Sequence, residues 1–198
     1  MKILIATFNP GKLREIRVLL GEPFQLLSLR DTGITAPCEE TGETFRENAI
    51  QKSCFYSSRV KNTLTVAEDS GLVVEALGGE PGIRSARYAG EKAEDSENIQ
   101  KLLTRMQFRK DRAAAFVAVA ALSQNGKLIE TFEGRVEGEL LDSPRGQNGF
   151  GYDPVFFYAP KNMTFAQLTR EEKNRISHRS QAFNELRDYL IRNGEVLK

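Results

Sequence analysis

One short stretch near the middle of the chain, residues 66–72, constrains the fold more than any other. An apolar run at residues 64–67 is typical of a buried strand, and two adjacent carboxylates, a hydroxyl and a glycine follow it. Carboxylates at the end of a buried strand are costly unless positive charge faces them, and ligands of α/β proteins collect at strand ends. We therefore expect Glu68 and Asp69 to face a divalent cation, and their hard oxygen ligands suit magnesium. A polar corner between two strands is the alternative.

The N-terminal segment has the order of a strand, a glycine-containing loop and a helix. The apolar run at residues 3–6 is typical of a central strand, and an amphipathic pattern begins after Lys12. Backbone N–H groups and the dipole at such a helix start favour an anion, and Lys12 adds a point charge for phosphate. The spacing is not that of a Walker P-loop. A turn with a solvated lysine is the alternative.

The composition limits the classes of partner. The 198 residues include 28 Lys and Arg against 27 Asp and Glu, a formal net charge of +1, which provides no global attraction to nucleic acid. No apolar run is long enough to cross a membrane, so we expect neither a nucleic-acid nor a membrane partner. Cys38 and Cys54 lack metal-ligand spacing and are too few for a disulfide framework. We therefore expect a reduced, cytoplasmic protein.

Helical and strand patterns along the chain predict an α/β fold. Two helices are signalled by capping boxes and two by apolar stripes, and an Asn-Gly pair marks a hairpin. The predicted elements are helices after Thr44 and Thr169, helices over about residues 95–106 and 177–192, and strands at residues 113–122 and 128–136. An antiparallel hairpin added to a parallel core predicts a mixed sheet.

Two further segments carry side chains suited to a nucleotide base. Residues 146–154 place glycines around Phe150, followed by Asp153. An aromatic ring in such a loop stacks on a flat ligand, a contact worth roughly 1–3 kcal/mol. His178 is the only histidine, and a neutral imidazole beside Arg179 suits recognition of a base carbonyl or a phosphate. A core-anchoring Phe150 and a structural His178 are the alternatives.

Six motifs that occur in order along the chain carry a family resemblance. They are residues 7–12 (TFNPGK), 40–42 with 45–52 (ETG and FRENAIQK), 68–72 (EDSGL), 81–83 with 85–87 (PGI and SAR), 150–153 (FGYD), and 172–174 with 177–179 (EKN and SHR). Each motif alone is weak, but the ordered set is highly specific and extends over nearly the whole chain. On these motifs the sequence resembles the inosine triphosphate pyrophosphatase family.

The resemblance implies a function, an architecture and a cofactor. The function is hydrolysis of non-standard purine nucleoside triphosphates (ITP, dITP and XTP) to the monophosphate and pyrophosphate, which removes them from the nucleotide pool. The architecture is a single pyrophosphatase domain over residues 1–198. It has an elongated mixed β-sheet with flanking helices, and two lobes around a central cleft. The resemblance also implies Mg²⁺ as cofactor and a homodimer.

The resemblance further implies roles for a subset of the matching residues. Glu40 and Asp69 would bind magnesium, with Asp69 also acting as the base or orienting the attacking water. Glu39 is an alternative to Glu40. The residues expected to bind substrate are Thr7, Phe8, Asn9, Pro10, Gly11 and Lys12 around the triphosphate, Lys52, Ser70 and Lys173 near the phosphate charge, and Phe150, Gly151, Tyr152, Asp153, His178 and Arg179 around the base.

Base selection has a simple physical hypothesis. Donors from Arg179 or a backbone amide would pair with the 6-oxo group of hypoxanthine or xanthine. Adenine carries an amino donor at the 6-position and would leave the donors of the protein unpaired, at a cost of roughly 1–3 kcal/mol per donor. Guanine shares the 6-oxo group, so its exclusion must come from near the 2-position.

Three rival functions use the same residues. A serine hydrolase would pair Ser70 with His178, but the GxSxG elbow is absent. A nucleotide sensor would bind in the same pocket without turnover. A pyrophosphatase of another specificity would act on modified pyrimidine or other damaged nucleotides.

Overall fold

The computed structural model describes residues 1–194, which form one mixed sheet with helices packed against it. The strands of this part of the chain are β1 (Lys2–Ile5), β2 (Gln25–Ser28), β3 (Leu64–Val74), β4 (Ala113–Gln124), β5 (Lys127–Leu140), β6 (Phe156–Tyr158) and β7 (Met163–Thr164). They are hydrogen-bonded in the order β2-β1-β3-β4-β5-β6-β7. β1 is parallel to β2 and β3, whereas β6 is antiparallel to β5 and β7. The predicted mixed α/β sheet is confirmed.

The helices begin and end close to their local sequence signals. The α-helices are α1 (Pro10–Leu20), α2 (Phe45–Ser57), α3 (Asp95–Met106), α4 (Arg170–Ile176) and α5 (His178–Asn193). Both predicted capping boxes are present, with Thr44 and Thr169 each accepting the N–H of the glutamate three residues later. Asn125 and Gly126 have φ angles of 51° and 80°, the left-handed pair that a tight turn between two strands requires. The predicted hairpin is therefore confirmed.

The strand predicted at residues 64–67 does not end there. β3 continues without interruption through the two carboxylates and Gly71 to Val74. A Cβ atom on Gly71 would lie 2.3 Å from Ser85 Oγ, and Ser85 Oγ accepts the N–H of Leu72 at 2.9 Å. The glycine thus allows a neighbouring turn to pack against the strand; it does not turn the strand itself.

Residue contacts divide the chain into two units, of which the first comprises residues 1–69, residues 118–134 and the segment beginning at Arg179. On one face of its strands, Leu64 and Val66 of β3 pack with apolar residues of α1 and α5. On the opposite face, Ala67 packs with Tyr56 of α2. Because side chains alternate along a strand, α2 covers one face of β3, and α1 and α5 cover the other.

The second unit comprises residues 70–117 and 135–178. Its core joins Leu102 and Met106 of α3 to an aromatic group in which Phe116 contacts Phe156 and Phe165. Among the helices of residues 1–194, none is both long enough and apolar enough to cross a membrane.

Candidate active site

The adjacent carboxylates of β3 point to opposite faces of the strand. Glu68 lies 3.4 Å from Lys12 of α1, while Asp69 lies 3.1 Å from Lys52 of α2. This follows from the uninterrupted strand, since successive side chains alternate. The expectation that both carboxylates face one cation is therefore wrong. Ser70 follows directly in β3 and is partly exposed.

On the α2 side of β3, Lys52 brings two carboxylates together. Its Nζ lies 3.1 Å from Asp69 Oδ1 and 3.3 Å from Glu40 Oε2. The Asp69 side chain is 9% exposed and that of Glu40 is 27% exposed. Burial lowers the pKa of Lys52, but Asp69 and Glu40 outweigh this and raise the pKa above its ordinary value. Lys52 is therefore held as a cation between the two carboxylates.

Glu40 and Asp69 are carboxylate ligands of the kind that magnesium takes. Glu40 reaches the Lys52 ammonium, whereas Glu39 is exposed. Within residues 1–194 there is no group of three or more His, Cys, Asp and Glu residues that could hold a metal. Magnesium commonly takes only one or two protein carboxylates and completes its shell with water and substrate phosphates. Glu40 and Asp69 supply such a pair.

On the opposite side of β3, Glu68 belongs to a buried network of four charges. Arg179 donates from Nη2 to Glu68 Oε1 at 3.1 Å and from Nη1 to Glu15 Oε2 at 2.5 Å. The side chains of Glu68 and Arg179 are 0% and 2% exposed, and Lys12 supplies the second cation. Such pairing is needed because an isolated buried charge is very costly. Arg179, which was expected to contact the base, is here bound by two carboxylates of its own chain.

The loop before α1 connects strand β1 to a helix start, in the order that the sequence predicts. Asn9 caps the helix, because its Oδ1 accepts the N–H of Lys12 at 3.0 Å, and Thr7 Oγ1 accepts the N–H of Asn9 at 3.2 Å. Pro10 occupies the first turn, where a backbone N–H is not needed. The Phe8 side chain is half exposed. Burial lowers the pKa of Lys12 below that of an ordinary lysine, and this outweighs the effect of the nearby carboxylates.

In the second unit, Asp153 organises the predicted base-binding loop. Its Oδ2 accepts the N–H of Phe150 at 3.0 Å and the ammonium of Lys173 at 2.5 Å. Lys173 Nζ also lies 4.9 Å from the centre of the Phe150 ring. Gly149 has a φ of 78°, and a Cβ there would lie 2.0 Å from Asp153 Oδ2. The structure thus brings Phe150, Asp153 and Lys173 together, with Lys173 bound to the aspartate.

Other residues of this loop are fixed through the rest of the second unit. The Gly151 N–H donates to Asp95 Oδ2 at 2.6 Å, which connects the loop to the start of α3. Tyr152 is 3% exposed, and its hydroxyl donates to the carbonyl of Ser85 at 2.9 Å. Burial raises the pKa of Tyr152. The Tyr152 side chain is therefore part of the core, which differs from the direct contact with the base that we expected.

His178 is also buried in the second unit. It is 4% exposed, and its ring is stacked on that of Phe116 with the centres 4.8 Å apart. The imidazole therefore packs as an aromatic residue at the start of α5.

Two residues of these clusters are missing from the sequence predictions. Glu15 lies three residues after Lys12 in α1, and Asn48 lies four residues before Lys52 in α2. Side chains three or four residues apart share a helix face, so each polar residue lies beside a lysine that was identified. Both are buried, with 8% exposure for Glu15 and 0% for Asn48. The helical spacing was the available signal.

Comparisons with known proteins place this chain in a family. A sequence model of the Ham1 family matches residues 3–189. The chain is similar to the dITP/XTP pyrophosphatase of Bacillus subtilis, with 46% identity over 191 residues, covering 94% of this chain and 96% of the relative. It is also similar to the protein of the same name from Geobacter sulfurreducens, with 47% identity over 192 residues and 96% of each chain.

A solved structure extends the similarity to the backbone. The Ham1 protein of Staphylococcus aureus matches with a TM-score of 0.88 and 43% identity, over 98% of this chain and all of that one. The resemblance stated from the ordered motifs is thus confirmed. The chain belongs to the Ham1 family.

Proposed function

We propose that this protein hydrolyses dITP, ITP and XTP to the monophosphate and pyrophosphate, and so removes these nucleotides from the pool. The near-full-length similarity to proteins named dITP/XTP pyrophosphatase supports the reaction and the substrate class. The structural observation that carries the proposal is that Glu40 and Asp69 both lie within 3.3 Å of Lys52 Nζ. Phosphoryl transfer depends mainly on positioning and charge neutralisation, and these groups provide both.

The lysines of the first unit would bind the triphosphate. Lys12 lies at the start of α1, where backbone N–H groups also favour an anion. Lys52 lies on the face of β3 that carries Asp69. Each ammonium would exchange a carboxylate partner for phosphate oxygen, so that the charge of the substrate is neutralised without a large movement of the helices.

We propose Mg²⁺ as the cofactor, with Glu40 and Asp69 as its protein ligands. When bound, magnesium would supply further neutralisation of charge on the phosphate oxygens. Asp69 would orient a water toward the α-phosphorus and accept its proton. The water oxygen then bonds to that phosphorus, the bond from the α-phosphorus to the bridging oxygen breaks, and pyrophosphate leaves.

The base would be held by the loop that contains Phe150. Its ring suits stacking on a purine, and the loop is fixed by Asp153, which accepts from the Phe150 N–H and from Lys173. Of the two proposed donors to the 6-oxo group, a backbone amide requires the smaller rearrangement. Arg179 would have to leave Glu15 or Glu68 to reach a base.

Pyrophosphate release tests the proposal directly. ITP, dITP, XTP, GTP and ATP are compared with Mg²⁺, using wild type, Asp69→Asn and the control Asp142→Asn. Asp142 carries a 95% exposed carboxylate, so the control makes the same chemical change outside the site. We expect release from ITP, dITP and XTP by wild type and the control, and loss in Asp69→Asn. Equal release from all five nucleotides would reject the substrate class, and no release from any would reject the reaction.

We further propose that the protein is a homodimer located in the cytoplasm. The family resemblance supports the dimer, and the location follows from the nucleotide pool on which the enzyme would act. Light scattering measures the mass in solution. A mass equal to the 22.2 kDa of one chain would exclude the dimer.

A further inference from the structure

Asn48 connects the two chain segments that carry the proposed magnesium ligands. It is fully buried near the start of α2. Its Oδ1 accepts the N–H of Gly42 at 2.9 Å, and its Nδ2 donates to Asp69 Oδ2 at 3.2 Å. Gly42 lies two residues after Glu40. One planar amide therefore connects the loop of Glu40 to the strand of Asp69.

The chemistry of these contacts permits only one orientation of the amide. With Asn48 reversed, its NH₂ group would meet the N–H of Gly42, and its oxygen would meet the carboxylate of Asp69. Both contacts would be repulsive, because each would place two donors or two acceptors together. The Asn48 oxygen therefore binds Gly42 and its nitrogen binds Asp69, and the two contacts cannot be reversed.

The loop that carries Glu40 lies close against α2 because residue 42 is a glycine. A Cβ on Gly42 would lie 2.6 Å from Glu47 Cβ and 2.8 Å from Asn48 Oδ1. Gln51, one turn further along α2, also holds the loop, since its side chain accepts the N–H of Thr41 at 3.1 Å and donates to the Thr41 hydroxyl at 3.0 Å. The position of Glu40 is therefore set by side chains of α2.

Lys52 alone would not set this geometry. An ammonium is a point charge on a flexible stem, which attracts carboxylates without fixing their planes. Asp69 accepts from Lys52 on Oδ1 and from Asn48 on Oδ2, so hydrogen bonds on both oxygens fix the plane of the carboxylate. Magnesium requires near-octahedral geometry and is sensitive to such orientation, whereas calcium tolerates irregular geometry.

We infer that Asn48 is a positioning residue that sets the spacing and orientation of Glu40 and Asp69 for a small divalent ion. The inference rests on the proposed function, because it takes these two carboxylates as the magnesium ligands. In this role Asn48 would act through its hydrogen bonds to Gly42 and Asp69. Its loss should impair magnesium binding more than calcium binding.

Metal binding to the full chain tests this inference without turnover. Calorimetry would measure the Kd of Mg²⁺ and of Ca²⁺ for protein saturated with the α,β-methylene analogue of ITP. Wild type, Asn48→Ala and Asn162→Ala are compared; the matched control residue is exposed, on a turn of the second unit. Loss of a group that orients a ligand typically costs 10–100-fold in metal affinity. We expect Asn48→Ala to lose about 10–100-fold for Mg²⁺ and clearly less for Ca²⁺, and the control to match wild type.

The possible outcomes separate this inference from the proposed function. Equal loss for both ions, or none, in a variant that circular dichroism shows to be folded would overturn the inference and leave the proposed function standing. Absence of Mg²⁺ binding by wild type would overturn both. If Asn48→Ala does not fold, Asn48→Ser is used, because a single short hydroxyl cannot bridge Gly42 and Asp69. The same selective loss of Mg²⁺ affinity is expected.

Discussion

The opposite orientations of Glu68 and Asp69 can be tested with one chemical change at two adjacent positions. Glu68→Gln and Asp69→Asn each convert a buried carboxylate to an amide of the same shape. If the two side chains serve different faces of β3, the first change should mainly lower stability and the second should mainly lower activity. If both served one metal site, the variants should resemble each other.

The cost of Glu68→Gln follows from its partners. Arg179 is 2% exposed and would keep Glu15, but the side chain 3.1 Å away at position 68 would lose its negative charge. Lys12 would lose the same charge at 3.4 Å. Breaking a buried ion pair from one side costs about 3–5 kcal/mol. We expect the lower end of this range in the free energy of unfolding, because one carboxylate remains beside Arg179.

In Asp69→Asn the neighbouring cation, Lys52, still has a carboxylate partner. Lys52 keeps Glu40 at 3.3 Å, so we expect a smaller loss of about 1–2 kcal/mol, that of a buried hydrogen bond. The proposed catalytic role predicts a fall in kcat of at least about 100-fold, the usual lower contribution of a positioned base.

Urea unfolding measures the first quantity, and pyrophosphate release from ITP measures the second under conditions where each variant is folded. Asp142→Asn serves as the control for the loss of a negative charge. Unchanged stability in Glu68→Gln, together with a loss of kcat equal to that of Asp69→Asn, would refute the assignment of the carboxylates to different faces.

Three further predictions concern the groups around this strand and the loop of the second unit. The lowered pKa of Lys12 means that it loses its proton at a lower pH than an ordinary lysine; Lys12→Arg should therefore move the alkaline fall of kcat/KM to higher pH, as a pH profile would show. Gly149→Ala should displace Asp153 and raise the KM for ITP, whereas Gly78→Ala, with similar positive φ and open space, should leave KM unchanged. Tyr152→Phe should lower the free energy of unfolding by about 1 kcal/mol without changing the ITP-over-ATP preference, which a urea titration and a rate comparison would check.

The elements that sequence analysis predicted best are those whose signals are local. α3 occupies the predicted residues 95–106, and the hairpin turns at Asn125 and Gly126. The predicted end of the strand at residue 67 is wrong, because consecutive charged residues usually mark a turn and here they do not. Here they continue a buried strand, since Glu68 has a partner 111 residues away in Arg179. A partner at that distance leaves no periodic signal in the sequence around Glu68.

The same reasoning explains why the sequence identified the lysines of the proposed site but not their contacts. Lys12 lies 3.4 Å from Glu68, Lys52 lies 3.1 Å from Asp69, and Lys173 lies 2.5 Å from Asp153. A triphosphate requires several cations, and cations buried without partners would be expelled or neutralised. Carboxylates of the chain hold Lys12 and Lys52 in place, which would reduce the ordering cost of the proposed triphosphate binding. The residue types follow from the charge of the substrate, whereas the pairings follow from which faces of the strand and helices meet in the fold.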